Sequence, residues 1–243
     1  MKNALITGGT KGLGKAIAKV FALHNYNLIL TYLNDDESAL HTKQELEQFD
    51  IKVTIIKSDV SDEQEVIKLL DNIKSSFQTI DVLINNAGIS IDTTLEDKTV
   101  DNFKKILDTN LIGPFLTSKY IGKYMYNQGY GEIINISSTN AIDTYYQESL
   151  DYDASKAGLN SLTLNFANIY APLVKVNAIA CGWINTDMNK NMSQEFKDKE
   201  ISKILLNRFA EPEEIANVVY FLTTKEASYI NGSIIRVDGG VRR

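Results

Sequence analysis

Seven short apolar runs, separated by longer amphipathic segments, restrict the fold of this 243-residue chain more than any single motif does. The runs cover 4–7, 27–31, 52–57, 80–84, 132–137, 174–179 and 233–237. Helical patterning fills 37–49, 63–77, 100–127, 152–170 and 212–222, and a helix with Ala16, Ile17, Val20, Phe21 and Leu23 as its apolar positions follows the first run. Strands that are apolar throughout and joined by helical crossovers are covered on both faces. The spacing therefore predicts an α/β fold: a single-domain Rossmann-type doubly wound parallel sheet of seven strands with helices on both faces. With no linker, repeat or low-complexity tract, the expectation is one domain over residues 1–243.

Two interruptions carry information. Gly113-Pro114 falls inside the long fourth helical segment, where proline removes a backbone hydrogen bond and bends the helix, leaving Asn110 beside irregular backbone. The stretch from Trp183 to Phe209 is polar and only weakly helical, and it follows the sixth strand at the carboxyl end of the sheet, where a substrate lid is expected.

The first run enters Thr7-Gly8-Gly9-Thr10-Lys11-Gly12-Leu13-Gly14 and then a helix. Strand, glycine loop and helix in that order build a phosphate site, because the glycines admit a diphosphate to the backbone and the helix start supplies unpaired N–H donors. Read alone, such a loop is also a tight turn.

Tyr152 and Lys156 stand four apart in a helical segment, so they share a face, with Ser137-Ser138 closing the fifth run upstream. A nearby ammonium favours the phenolate, so the Tyr152 pKa, ordinarily about 10, is expected to fall toward working pH. That makes Tyr152 a candidate proton donor and Lys156 its tuner. Read singly, Ser138 is also a strand-end cap and Asn110 a polar helix residue, while Asn86-Ala87-Gly88 suits a turn.

The formal net charge of −6 argues against a nucleic-acid partner, which needs concentrated Lys and Arg. No apolar stretch has membrane-spanning length and no signal-type segment opens the chain, so a cytoplasmic protein without a membrane role is expected. Cys181, His24 and His41 are the only residues of their kinds, and neither a disulfide nor a zinc site is expected.

Together these residues resemble the short-chain dehydrogenase/reductase family across essentially the whole chain. The marks are Thr7-Gly8-x-x-x-Gly12-x-Gly14, Asp59-Val60, Asn85-Asn86-Ala87-Gly88, Asn110, Ser138, Tyr152-x-x-x-Lys156, and Asn177-Ala178 through Thr186. The ending Arg208-Phe209-Ala210-Glu211-Pro212, with Asn231-Gly232 and Val237-Asp238-Gly239-Gly240, is most similar to the 3-oxoacyl-(acyl-carrier-protein) reductases and their paralogues. The resemblance implies an oxidoreductase that passes hydride between nicotinamide and a carbonyl carbon. Tyr152 would move the proton, Lys156 would bind the ribose and tune Tyr152, Ser138 would hold the substrate oxygen, and Asn110 would anchor a proton-refilling water. Ser138 is preferred to Ser137 as the second serine of the family's usual pair. The cofactor set so implied is Gly8, Thr10, Lys11, Gly12, Leu13, Gly14, Thr31, Asp59, Val60, Asn86, Ala87, Gly88, Tyr152, Lys156, Gly182, Ile184 and Thr186. A homotetramer is also implied, with helices starting near Val100 and Tyr152 at one interface and the last strand at another.

The second strand ends at Thr31-Tyr32 rather than at an acid, and Lys11 lies in the glycine loop, so NADP(H) is favoured over NAD(H), although Asp35 and Asp36 are near. Cys181-Gly182 replaces the family's usual Pro-Gly, which places a thiol where alkylation would inhibit or where it merely fills the proline's volume. Basic residues that would meet an acidic carrier are missing from Gly129-Tyr130-Gly131-Glu132 and Ala171-Pro172-Leu173, leaving Lys190, Lys197, Lys199 and Lys203 of the lid as substitutes. Three readings stay open: an acyl-carrier-protein-linked substrate, a free small ketone, sugar or alcohol, and a nicotinamide-binding regulator without turnover.

Overall fold

The computed structural model describes residues 1–143, 146–186, 189 and 192–241. Of the residues expected to matter, Lys190 lies outside the described residues. One sheet contains β1 (Asn3–Ile6), β2 (Asn27–Tyr32), β3 (Val53–Lys57), β4 (Val82–Asn85), β5 (Gly131–Ser138), β6 (Val174–Cys181) and β7 (Ile234–Val237). Its order is β3-β2-β1-β4-β5-β6-β7, with every pairing parallel, as the alternation predicts.

The strands are apolar at consecutive positions because both faces are covered. Ala4, Ile6, Leu28, Leu30, Ile84, Ile134 and Ile179 point to one buried cluster, while Leu5, Ile29, Leu83, Ile133, Val174 and Val176 point to the other. Helices α1 (Gly12–Leu23), α2 (Asp36–Glu47) and α9 (Pro212–Phe221) supply Ile17, Phe21, Leu46 and Ile215 to the first cluster. Helix α3 (Glu63–Ser76) gives Leu69 and Ile73 to the second, and α7 (Leu150–Tyr170) gives Phe166 and Tyr170. Leu23, expected on the buried stripe of α1, is instead 64 % exposed, because the helix ends there and turns away.

The long fourth segment is α4 (Val100–Leu107), α5 (Gly113–Thr117) and α6 (Lys123–Gln128), joined by wider π-type turns at Asp108–Ile112 and Ser118–Gly122. Pro114 opens α5, and the irregularity expected from Gly113-Pro114 is the wide turn just before it, which contains Asn110. Gly113 permits the close packing there, since a Cβ would lie 2.9 Å from Val60 Cγ2.

Chain direction away from β1 reverses between β2 and β4, so the loops following β1 and β4 diverge and leave a crevice at the carboxyl ends of the strands. The segment after β6 returns on itself above that crevice. Ala210 N–H donates to the Trp183 carbonyl (3.0 Å), Asn185 N–H to the Ala210 carbonyl (2.8 Å), and α8 (Gln194–Lys203) lies between these ends.

Candidate active site

The glycine loop is held open from beneath and from the side. Gly8, at φ +60°, donates its N–H to Thr31 Oγ1 (3.2 Å), and Gly9 donates to the Thr31 carbonyl (3.1 Å). Thr31, expected at the cofactor edge, is thus buried with its hydroxyl engaged under the loop. Thr7 Oγ1 accepts from Asn86 N–H and Ala87 N–H, both at 3.0 Å, and the Asn86 amide donates to the carbonyls of Thr7 (3.0 Å) and Gly8 (3.1 Å). Thr42 of α2 fixes the loop's other arm by donating to the Thr10 carbonyl at 2.8 Å. Neither Thr7 nor Thr42 is among the site residues expected from the sequence. The available signals were a hydroxyl opening the glycine motif and a threonine on the Ala39–Leu46 buried stripe of α2.

Among the described residues no side chain caps α1, which leaves its first N–H groups available to a ligand. A Cβ on Gly14 would collide with the Gly8 carbonyl, whereas one on Gly12 (φ +49°) would meet only Thr186 Cβ, at 3.9 Å. The free donors of this helix start, behind a glycine loop that admits close approach, match the donor chemistry a dinucleotide diphosphate needs. Leu13 packs against the core behind it. Gly182 lies against Asp238, where a Cβ would come within 2.8 Å, and Ile184 bridges to Ala210. Farther along, Asp59 follows β3 and accepts from Ser61 N–H (2.9 Å) and Ser61 Oγ (2.6 Å), while Val60 is buried against Gly113.

Tyr152 and Lys156 occupy the first turns of α7, with Lys156 Nζ 5.5 Å from the centre of the Tyr152 ring. Lys156 donates to the Ile136 carbonyl at 2.8 Å. A Cβ on Gly88 would touch both Asn110 Oδ1 (3.3 Å) and Lys156 Nζ (3.6 Å), so the glycine forms the floor between them. Asn110, fully buried, grips Ile89 by accepting from its N–H (2.8 Å) and donating to its carbonyl (2.9 Å), and also donates to Ser155 Oγ (3.2 Å). Ser137 donates to Asn160 at 2.7 Å and is directed away, while the Ser138 hydroxyl faces the Tyr152 phenol. Asn110, Ser138, Tyr152, Lys156 and Gly88 therefore converge at the carboxyl ends of β4 and β5.

Electrostatics correct one expectation. Burial pushes the Tyr152 phenol up, aided by Cys181, and the Ser138 hydroxyl opposes the shift only in part. Burial also brings the Lys156 ammonium down to about 8, with Cys181 opposing. Cys181, beside Ser138 in the β5–β6 register, is itself pushed up to about 12 by burial, with Lys156 opposing. Its burial favours the space-filling role over a reactive thiol.

A family profile described as "Enoyl-(Acyl carrier protein) reductase" matches residues 8–242. The chain belongs to the short-chain dehydrogenase/reductase family. Among its relatives, the 3-oxoacyl-(acyl-carrier-protein) reductase FabG of Aquifex aeolicus is 36 % identical over 99 % of this chain and 97 % of its own length. Glucose 1-dehydrogenase 2 of Bacillus subtilis is 34 % identical over 99 % and 94 %. A short chain dehydrogenase from Burkholderia cenocepacia, solved in complex with NADP, superposes with a TM-score of 0.93 at 29 % identity, covering 98 % of this chain and 97 % of that one.

In this short-chain dehydrogenase/reductase the carboxylates near the end of β2 are each matched by a lysine. Lys11 pairs with Asp35, holding that carboxyl down at about 2, and Lys57 pairs with Asp36 at 3.2 Å, while Tyr32 donates to Asp36 at 3.0 Å. Over the site, Trp183 stacks on Phe209 (5.6 Å between ring centres) and meets Tyr146 and Phe196 edge-on at 5.6 and 5.9 Å. Tyr146, Trp183, Phe196 and Phe209 thus form an aromatic cluster, and Lys197 and Arg208 line the cavity beside Thr186 and Phe209. Lys203 is paired with the buried Glu200 at 2.6 Å.

Proposed function

We propose that this chain is an NADP(H)-dependent oxidoreductase that reduces a carbonyl to a secondary alcohol. The observation that carries the reading is the phenol of Tyr152 facing the Ser138 hydroxyl in the crevice, with Lys156 across its ring. The bound nicotinamide would supply the hydride and, once oxidised, a positive ring. The chain's own residues do the rest. Gly8 to Gly14 and Thr186 hold the diphosphate, Asn86 to Gly88 form the floor, and Lys156 binds the ribose hydroxyls. Tyr152 donates its proton to the substrate oxygen, Ser138 donates a hydrogen bond to the same oxygen as charge develops, and Asn110 holds the backbone beside the route by which the proton is restored. In the reverse direction, tyrosinate is the base. Residues 183–209 act as the lid.

NADP(H) is favoured because Asp35 and Asp36 are each neutralised by a lysine, which leaves no free carboxylate to repel a ribose phosphate. A homotetramer accords with the apolar side chains of Ile112, Phe115 and Leu164, which stand exposed around α5 and α7, and with β7 at one edge of the sheet.

The first substrate reading is a 3-oxoacyl group on an acyl carrier protein, as the name of the Aquifex relative suggests. A free small ketone, sugar or alcohol is the second, favoured by the aromatic cluster of Tyr146, Trp183 and Phe196 and by the name of the Bacillus relative. Oxidation of NADPH and then NADH, followed by absorbance with 3-oxoacyl-carrier-protein, 3-oxoacyl-CoA and a panel of small ketones and sugars, tests both. Turnover confined to the carrier-linked substrate supports the first reading, turnover only on free ketones supports the second, and no turnover on any probe removes the proposal.

A further inference from the structure

The residue just before Tyr152 is Asp151, a carboxylate with a fully buried side chain, and it is paired with Lys98, whose side chain is 4 % exposed. Lys98 Nζ donates to both Asp151 oxygens, at 2.8 and 2.9 Å, and to the Ile91 carbonyl at 3.1 Å, so its three donors are all used. Asp151 Oδ1 also accepts from the Tyr152 N–H at 3.0 Å. Residues 86–98 run between β4 and α4 without helix or strand, and they begin with the Asn86–Gly88 floor. Asn110 fixes this segment at Ile89, Thr93 N–H is bonded to the Glu148 carbonyl at 3.2 Å, and Lys98 fastens its far end to the first turn of α7.

A buried ion pair is a poor source of net stability, because removing both charges from water offsets most of their attraction. Its directional bonds do fix geometry. This pair joins the segment that begins with the floor to the turn that carries Tyr152. We propose that Lys98 and Asp151 are positioning residues: their ion pair sets the distance between Tyr152 and the Asn86–Gly88 floor. The proposal rests on the reading of Tyr152 as the proton donor.

The test compares the full-length wild type with Lys98→Met/Asp151→Asn, which removes both charges together and leaves an acceptor for the Tyr152 N–H. Lys98→Arg, which retains a cation for Asp151, serves as the conservative control. Three quantities are read: kcat and KM with NADPH and ethyl acetoacetate, NADPH Kd by fluorescence titration, and amide hydrogen exchange of residues 89–98 and 150–156 in the protein without cofactor. The expected result for the double variant is a kcat lower by about tenfold or more, since small misplacements of reacting groups are costly, with NADPH Kd within about threefold. Exchange over 89–98 rises at an unchanged melting temperature, and Lys98→Arg recovers most of both signals. Wild-type kcat and wild-type exchange in the double variant would overturn the proposal. Should the double variant not fold, Asp151→Asn alone decides: raised exchange over 89–98 together with a lower kcat supports the tether, and wild-type exchange with wild-type kcat refutes it. Should the wild type turn over none of the probes, the proton-donor reading fails, and the exchange measurement still judges the tether by itself.

Discussion

The amide of Asn140 donates to the carboxylate of Asp153 across 2.6 Å, and this bond sets how Ser138 is presented. A carboxylate only accepts, so the Asn140 NH2 turns toward Asp153 and its oxygen toward the Ser138 hydroxyl, 3.3 Å away. Asp153 also accepts from Ser149 Oγ (3.0 Å), so the residue following Tyr152 pins the loop beyond β5. Asp153→Ala frees Asn140 and that loop. Its KM for the carbonyl substrate is expected to rise about tenfold while NADPH Kd stays within about twofold, as loss of substrate positioning requires. Steady-state kinetics beside cofactor titration measure both.

Lys156 gives the site a pH dependence of known sign. Its ammonium, brought down by burial to about 8, is present below that pH and lost above it. A charged lysine favours an anionic cofactor, so NADPH affinity of the free protein is expected to be flat below about pH 7 and to weaken as pH rises through about 8. In Lys156→Met the break disappears and affinity is weak throughout. Fluorescence titration across pH 6–9.5 reports it, and an identical break in the variant would assign the titration elsewhere.

The sheet was legible in the sequence because its strands are buried on both faces, and continuous apolar runs such as Ala4-Leu5-Ile6 have few other uses. The residues that converge at the crevice were legible because the motifs follow strand ends, which a doubly wound fold brings to one side. Three features were not. The upward shift of Tyr152 comes first from its own burial, which i, i+4 spacing does not encode. Thr31 sits at the expected place but points beneath the loop. The partners of Asp151 and Asp153 lie in segments without periodic patterning, so only the folded chain reveals Lys98 and Asn140.

Lys11 is shared between Asp35 and any ribose phosphate bound beside the glycine loop. Lys11→Ala removes the cation and leaves Asp35 uncompensated, so the ratio of kcat/KM for NADPH over NADH is expected to fall about tenfold or more. Asp35→Asn releases Lys11 and is expected to raise the ratio. Opposite movement of the two variants is the signature, and kcat/KM with each cofactor measures it.

Cys181 is 5 % exposed, and burial pushes its thiol up to about 12, so little thiolate exists at pH 8. Iodoacetamide is expected to label the native protein at least about a hundredfold more slowly than it labels the protein in denaturant, with activity retained over the same period. Mass spectrometry of timed samples checks this, and rapid native labelling would contradict the burial argument.

In the proposed function Tyr152 moves the proton. The most direct measurement is kcat of Tyr152→Phe beside its NADPH Kd, because the substitution removes one oxygen from a site otherwise left in place. If Tyr152 is the proton donor, kcat falls by at least about a thousandfold while Kd stays within about threefold of wild type. Retention of a tenth or more of the wild-type rate, with cofactor binding unchanged, would contradict it.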